Sequence, residues 1–180
     1  LAVIVKCFSI IGSSIINSWD SDGRALHDFE NSNYIIEAKA TTTSPEKVGI
    51  TSLEQLQDRT KPTFLSVTNV VKTSKNSSYF YEIVEDWLLE IKRRSENDFL
   101  NLQILLNSIG YNSHNLSAYR TKWKINETRL IPIDENTPLF PLDFSDNIPK
   151  EVEISGYRLH TEHFESIDFE SLRDYLIQNH

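Results

Sequence analysis

Apolar residues recur at helical spacing over residues 2–17, at Val3, Cys7, Ile10, Ile11 and Ile15, which predicts an amphipathic helix at the start of the chain. Asn17, Ser18 and the run Asp20-Ser21-Asp22-Gly23 end it in a turn. Alternation then takes over. Residues 24–30 read as a short strand, Asn31-Ser32-Asn33 as a turn, and Tyr34 to Thr41 as a strand rich in β-formers, so the two strands make a hairpin. A turn at Thr43 to Glu46 leads to a third strand over Lys47 to Thr51. Ser52 with Gln55 three residues on has the spacing of a capping box and predicts a short helix through Gln57. The β-branched run Thr63 to Val71 predicts a fourth strand.

Helical patterning returns from Tyr81 to Ser95 and from Asp98 to Ser108, with Gly110 placed to terminate the second helix. Lys92-Arg93-Arg94 finish the first, where cations suit the helix dipole. Tyr119 to Ile125 alternates as a strand. Residues 130–165 read as proline-bearing and irregular, apart from a strand over Val152 to Leu159, and residues 168–178 as a final helix. The order is that of an α/β (α+β) fold, a central mixed sheet flanked by helices. Residues 1–110 are expected to form the core with its helices, and residues 111–180 a β-rich extension packed on it within the same domain.

Composition narrows the classes. At 180 residues and 39% hydrophobic, the chain can bury a substantial core. The single cysteine, Cys7, excludes an internal disulfide and lies in an apolar run, so it reads as a buried thiol in a reducing compartment. Lys6, Ser9, Gly12, Ser13 and Ser14 interrupt residues 1–17, which therefore read as a buried helix rather than a signal peptide or membrane span. Sequons at Asn76, Asn115 and Asn126 carry no weight without a secretory signal. A cytoplasmic protein without membrane contact is expected. The net charge of −8 argues against a general nucleic-acid binder, though not against one that grips DNA locally. The chain begins at Leu1 and contains no methionine, from which an N-terminal part ahead of Leu1 is expected.

Residues Leu26 to Thr41 read LHDFENSNYIIEAKAT. Alternate strand side chains share a face, so Glu37 and Lys39 point one way with Ile35, while Ile36 and Ala38 point the other. On the preceding strand Leu26, Asp28 and Glu30 share a face, and a tight hairpin brings Asp28 beside Glu37 and Lys39. Two adjacent carboxylates repel unless a cation lies between them. A hard divalent ion such as Mg²⁺ suits such oxygen ligands. Lys39 beside it is placed to hold an attacking water and stabilise a pentavalent phosphate, the requirements for phosphodiester hydrolysis.

Asp28 followed by Glu37-Ala38-Lys39 resembles the PD-(D/E)XK motif of restriction-endonuclease-like nucleases, and the order αβββαβ is similar to that fold's core. LHDFE, IIEAKATTT and ITSLEQL resemble more closely a bacterial PD-(D/E)XK family found in restriction and phage-defence neighbourhoods. Gly110-Tyr111, the Tyr119 strand and the proline-rich segment extend the likeness over nearly the whole chain. The resemblance implies that Asp28 and Glu37 bind the metal, with the Ala38 carbonyl as a further ligand, that Lys39 serves the water, and that Mn²⁺ substitutes for Mg²⁺. His27 stands where the motif has proline, and residues 1–19 lack the acidic residue that many relatives carry on the first helix.

The bland reading is a solvated strand face with a Glu37–Lys39 ion pair worth little. Auxiliary candidates are Glu30, which shares the face of Asp28; Thr41, which shares that of Glu37; and Gln55, whose role as a capping partner is an equal alternative. Arg120, Lys122 and Lys124 alternate with Tyr119 and Trp123, giving either a phosphate-binding stripe or an ordinary solvated face. His160 and His163 lack the partners of a zinc site. The expected function is a Mg²⁺-dependent DNA endonuclease of restriction type, partnered by DNA, by a second copy of itself in a homodimer, and by a DNA methyltransferase or other defence proteins. The alternatives are a non-catalytic DNA-binding or scaffolding subunit, and a nuclease acting on RNA or on branched or damaged DNA.

Overall fold

The computed structural model describes residues 1–57, 60–112, 114–140 and 156–178. Five strands form the central sheet in the order β1-β2-β4-β6-β5, where β1 is Phe29–Glu30, β2 Ile35–Thr41, β4 Thr63–Lys72, β5 Ser78–Tyr79 and β6 Lys122–Ile133. β2 and β4 run parallel and the other pairings are antiparallel, so the sheet is mixed, as expected. Helices α1 (Ala2–Ile11), α2 (Ser14–Asn17), α3 (Phe80–Arg94), α4 (Glu96–Ser108) and α5 (Leu172–Gln178) supply the main core. They bury Ile36, Phe64 and Leu130 from one face of the sheet. On the opposite face, Leu65, Val67, Ile131 and Ile133 pack against β3 (Lys47–Ile50) and β7 (Tyr157–His160), which pair as a separate two-stranded sheet.

Several sequence expectations shift. The single helix over residues 2–17 breaks at Gly12, whose φ of 61° interrupts the helical path, and Ser13 at the corner donates its hydroxyl to Asp98 at 2.8 Å. The predicted strand over residues 24–30 shrinks to Phe29–Glu30. The Asp20 carboxylate accepts the Ala25 N–H at 2.8 Å, which draws the preceding residues into a turn. The hairpin turn itself is as expected: Asn31 Oδ1 accepts the N–H groups of Asn33 and Tyr34.

The third strand forms but leaves the sheet. Parallel neighbours cannot be joined by a hairpin and need a crossover. The chain between β2 and β4 therefore passes over one face, with β3 as part of that crossover. Its alternation points Val48 and Ile50 down at Leu65 and Val67. No helix forms over Ser52 to Gln57. Those residues make bends and a turn, in which Ser52 Oγ accepts the Glu54 N–H and Gln55 serves elsewhere.

Tyr119 ends a 3₁₀ turn (Leu116–Tyr119) rather than starting a strand, and β6 runs on to Ile133, through residues read as irregular. Pro132 is tolerated because β5 covers only the Lys122 end of β6; among the described residues the outer side of the far end carries only the bridge from Leu130 to Ile167, which leaves the missing N–H without a strand to serve. A bulge between Asn69 and Val70 steps the register from Glu127 to Ile125, with the extra residue, Asn126, bonded to the Asn69 side chain at 2.9 Å. The predicted strand over Val152 to Leu159 begins at Tyr157 among the described residues, and residues 152–155 lie outside them.

Leu65 sits between the sheet and the crossover with no exposure. Leu65→Ala is expected to destabilise the protein by about 2–5 kcal/mol in urea unfolding. A loss well under 1 kcal/mol would show that the crossover does not cover this face.

Candidate active site

Extending the β1–β2 register by one position sets Asp28 opposite Glu37. The Asp28 backbone has already left the strand, and its side chain completes the pairing. Its N–H donates to Glu37 Oε2 at 3.4 Å, and its Oδ2 accepts the Ala38 N–H at 2.8 Å, a bond that a longer β1 backbone would otherwise take. From the other side, the Asp28 carbonyl accepts the Asp20 N–H at 2.9 Å, which anchors the segment. Lys39, two residues further along the face of Glu37, donates Nζ to Glu37 Oε1. The structure thus brings Asp28, Glu37 and Lys39 together.

Burial sets their electrostatics. Glu37 lies under the crossover and is 1% exposed, whereas the Lys39 side chain is 18% exposed. Desolvation pushes the Glu37 carboxyl above its ordinary range; the Lys39 hydrogen bond and charge oppose this, while the Asp28 charge adds to it. Ile35 donates its N–H toward the β4 side, to Pro62, and Ala38 donates toward Asp28. In a strand the N–H and C=O of one residue share a side, so the Ala38 carbonyl also faces the Asp28 edge.

Two carboxylates and one carbonyl converge there. Among the described residues, no group of three or more His, Cys, Asp and Glu side chains does so anywhere. This donor set fits Mg²⁺, which keeps several waters and binds through one or two carboxylates.

The auxiliary candidates separate. Gln55 does not cap Ser52. Its Oε1 accepts the Thr51 N–H at 3.1 Å and the Thr51 hydroxyl at 3.2 Å, and its Nε2 donates to the Leu26 carbonyl at 3.3 Å. The buried amide therefore ties the crossover to the segment carrying Asp28. Thr41 donates to the Lys47 carbonyl at 2.8 Å, so its hydroxyl holds the turn into β3. Glu30 pairs with Lys61 at 2.6 Å on the surface. His27 is buried, and its Nδ1 has no hydrogen-bond partner among the described residues.

Lys122 and Lys124 lie on the same sheet face as Glu37 and Lys39, because the bulge resets the alternation of β6. Arg120 does not join them in the strand; it follows the 3₁₀ turn and is exposed. Sequence reading missed Lys72, which ends β4 on the opposite face beside Trp123, and Lys75, which the β4–β5 connection carries to the same end of the sheet. The signal available was that residues 70–79 and 118–126 contain no acidic residue.

A mixed sheet with helices on one face, and an acidic pair and a lysine at the edge of neighbouring strands, define a PD-(D/E)XK-like protein. The chain belongs to the family described as "Putative PD-(D/E)XK family member, (DUF4420)", whose model matches residues 1–161. Members of the PD-(D/E)XK superfamily are usually nucleases that use divalent metals. Neither a curated protein nor a solved structure matches the chain. Among the described residues no helix is long and apolar enough to cross a membrane.

A carboxyl raised in the folded state stabilises the protein fully below its unfolded value, ordinarily 4.5, and that contribution is lost as pH rises through the folded value. Glu37→Gln removes this titration. The metal-free variant is expected to melt above the parent at neutral pH, with the gap closing as pH falls toward 4.5. Equal melting temperatures across that range would show that Glu37 is not held against its charge.

Proposed function

We propose that the chain is a Mg²⁺-dependent endonuclease that hydrolyses DNA phosphodiesters in restriction or phage defence, with Asp28, Glu37 and Lys39 as its centre. The observation that carries this reading is the buried Glu37, clasped by Lys39 and hydrogen-bonded to Asp28, in a family whose superfamily usually cuts nucleic acids. Fold stability gives no reason for the arrangement, since buried ion pairs are commonly no better than apolar residues of the same size. A buried carboxyl held against its charge beside a second carboxylate is instead a feature of working sites.

Asp28 and Glu37 would hold the ion with the Ala38 carbonyl. A bound Mg²⁺ supplies Lewis acidity at the phosphoryl group and a water acidic enough to attack it. Lys39 reaches the site from its station on Glu37 Oε1. There its ammonium donates to a non-bridging phosphate oxygen, offsetting charge as the pentavalent state forms, and keeps the attacking water in place. Asp28 is fixed through its backbone carbonyl by the Asp20 N–H and through its carboxylate by the Ala38 N–H, so the carboxylate meets the substrate already oriented. Gln55 ties the crossover to the segment that carries Asp28, and Glu37 is shut off from water.

Supercoiled plasmid incubated with Mg²⁺ is expected to be cut, with Asp28→Ala and Lys39→Ala each slowing the reaction about 10²-fold or more. Cutting at the parent rate by both variants would remove the centre from these residues. Binding without cutting by the parent itself would favour the DNA-binding subunit instead.

A further inference from the structure

One end of the sheet differs in charge from the rest of the molecule. Residues 70–79 and 118–126 carry Lys72, Lys75, Arg120, Lys122 and Lys124 and no acidic residue, in a chain of net charge −8. None of these five cations has an ion-pair partner among the described residues. Of the nearby acids, Glu82 accepts the Tyr79 N–H at the start of α3 and lies beside the Tyr81 side chain, and Glu127 lies on the far side of the bulge.

Aromatic rings sit in the middle of this patch. Tyr79 pairs with Lys122 across β5 and β6, and the Lys122 ammonium lies 4.8 Å from the Tyr79 ring centre. The Tyr81 ring stacks on Tyr79 at 5.7 Å with planes 9° apart. Tyr79 thus contacts both the Lys122 ammonium and the Tyr81 ring, and both tyrosines are half-buried rather than enclosed. Flat rings interleaved with unpaired cations are the elements of a single-strand binding surface: every unpaired base offers a face to stack on, and the backbone follows the cations. Paired bases in a duplex offer no such face.

We propose that Tyr81 and Tyr79, with Lys75, Lys122 and Lys124, form a platform that binds a single-stranded stretch of the DNA substrate. Tyr79, Lys122 and Lys124 lie on the same sheet face as Lys39, three strands across and about six residues along. This is a span of roughly 25 Å, or about seven nucleotides of stacked strand. The substrate class is therefore DNA with an unpaired segment beside the scissile bond. This rests on the nuclease reading for what is cut, but binding can be measured separately.

The test is fluorescence anisotropy of the whole chain with labelled oligo(dT) of fifteen nucleotides, a duplex of equal length and oligo(rU), in EDTA so that cleavage plays no part. The single-stranded DNA is expected to bind most tightly, with Tyr81→Ala weakening it about tenfold and Tyr81→Phe retaining it. Lys122→Ala/Lys124→Ala should reduce the slope of log affinity against log salt by about 1.4. Unchanged melting temperatures establish that the variants are folded. Parent-like single-strand binding by both Tyr81→Ala and the lysine double variant would overturn the platform. Tighter binding of the duplex or of oligo(rU) would overturn the substrate class. Failure of plasmid cleavage alone, with oligo(dT) binding lost in Tyr81→Ala, would sink the nuclease reading and leave the platform standing.

Discussion

The parallel pairing of β2 with β4 is the constraint on which the rest of the structure depends. It obliges the chain to leave the sheet after Thr41 and return at Thr63, and the return path crosses one face. That path supplies β3, receives β7 as its partner, and builds the second core from Val48, Ile50 and Leu56 on Leu65 and Val67. It also places a roof over Glu37. A two-strand hairpin alone would leave that carboxylate in water, where a lysine beside it is worth little. Under the crossover the same pair becomes a desolvated charge with a raised carboxyl pKa, which is what distinguishes a candidate centre from a decorated strand.

Much of the fold was legible because the elements concerned carry local signals. The helices α3 and α4 show the helical period, β2 and β4 are rich in β-branched residues, and the Asn31 turn needs only its own side chain. The misread elements answer to distant partners. Strand order is invisible to periodicity, so β3 looked like the third strand of one sheet. Pro132 argued against a strand unless the edge beside it was known. Ser52 and Gln55 matched a capping box, yet Thr51 and the Leu26 carbonyl claim the Gln55 amide.

The grouping of Asp28, Glu37 and Lys39 was legible for the same local reason: all three lie within one hairpin, and strand alternation with turn length settles their neighbourhood. The chemistry around them was less so. That Asp28 reaches Ala38 through its side chain depends on Asp20 drawing the preceding residues out of the strand. The parting of Arg120 from Lys122 and Lys124 follows from a 3₁₀ turn ending at Tyr119. Lys75 could not be joined to them on paper, because some fifty residues separate segments that the sheet makes adjacent.

The bulge at Asn126 has a consequence out of proportion to its size. Side chains of a strand alternate strictly, so one inserted residue acts as a frame shift in space, exchanging inside for outside for everything beyond it. Without Asn126, the Lys122 and Lys124 side chains would turn into the helix-covered face, and Trp123 and Ile125 would be left in water. A single asparagine, clasped by Asn69, therefore decides the polarity of the whole end of the molecule. It lets one uninterrupted strand serve two masters, with a greasy underside and a charged upper surface on the side where Lys39 stands.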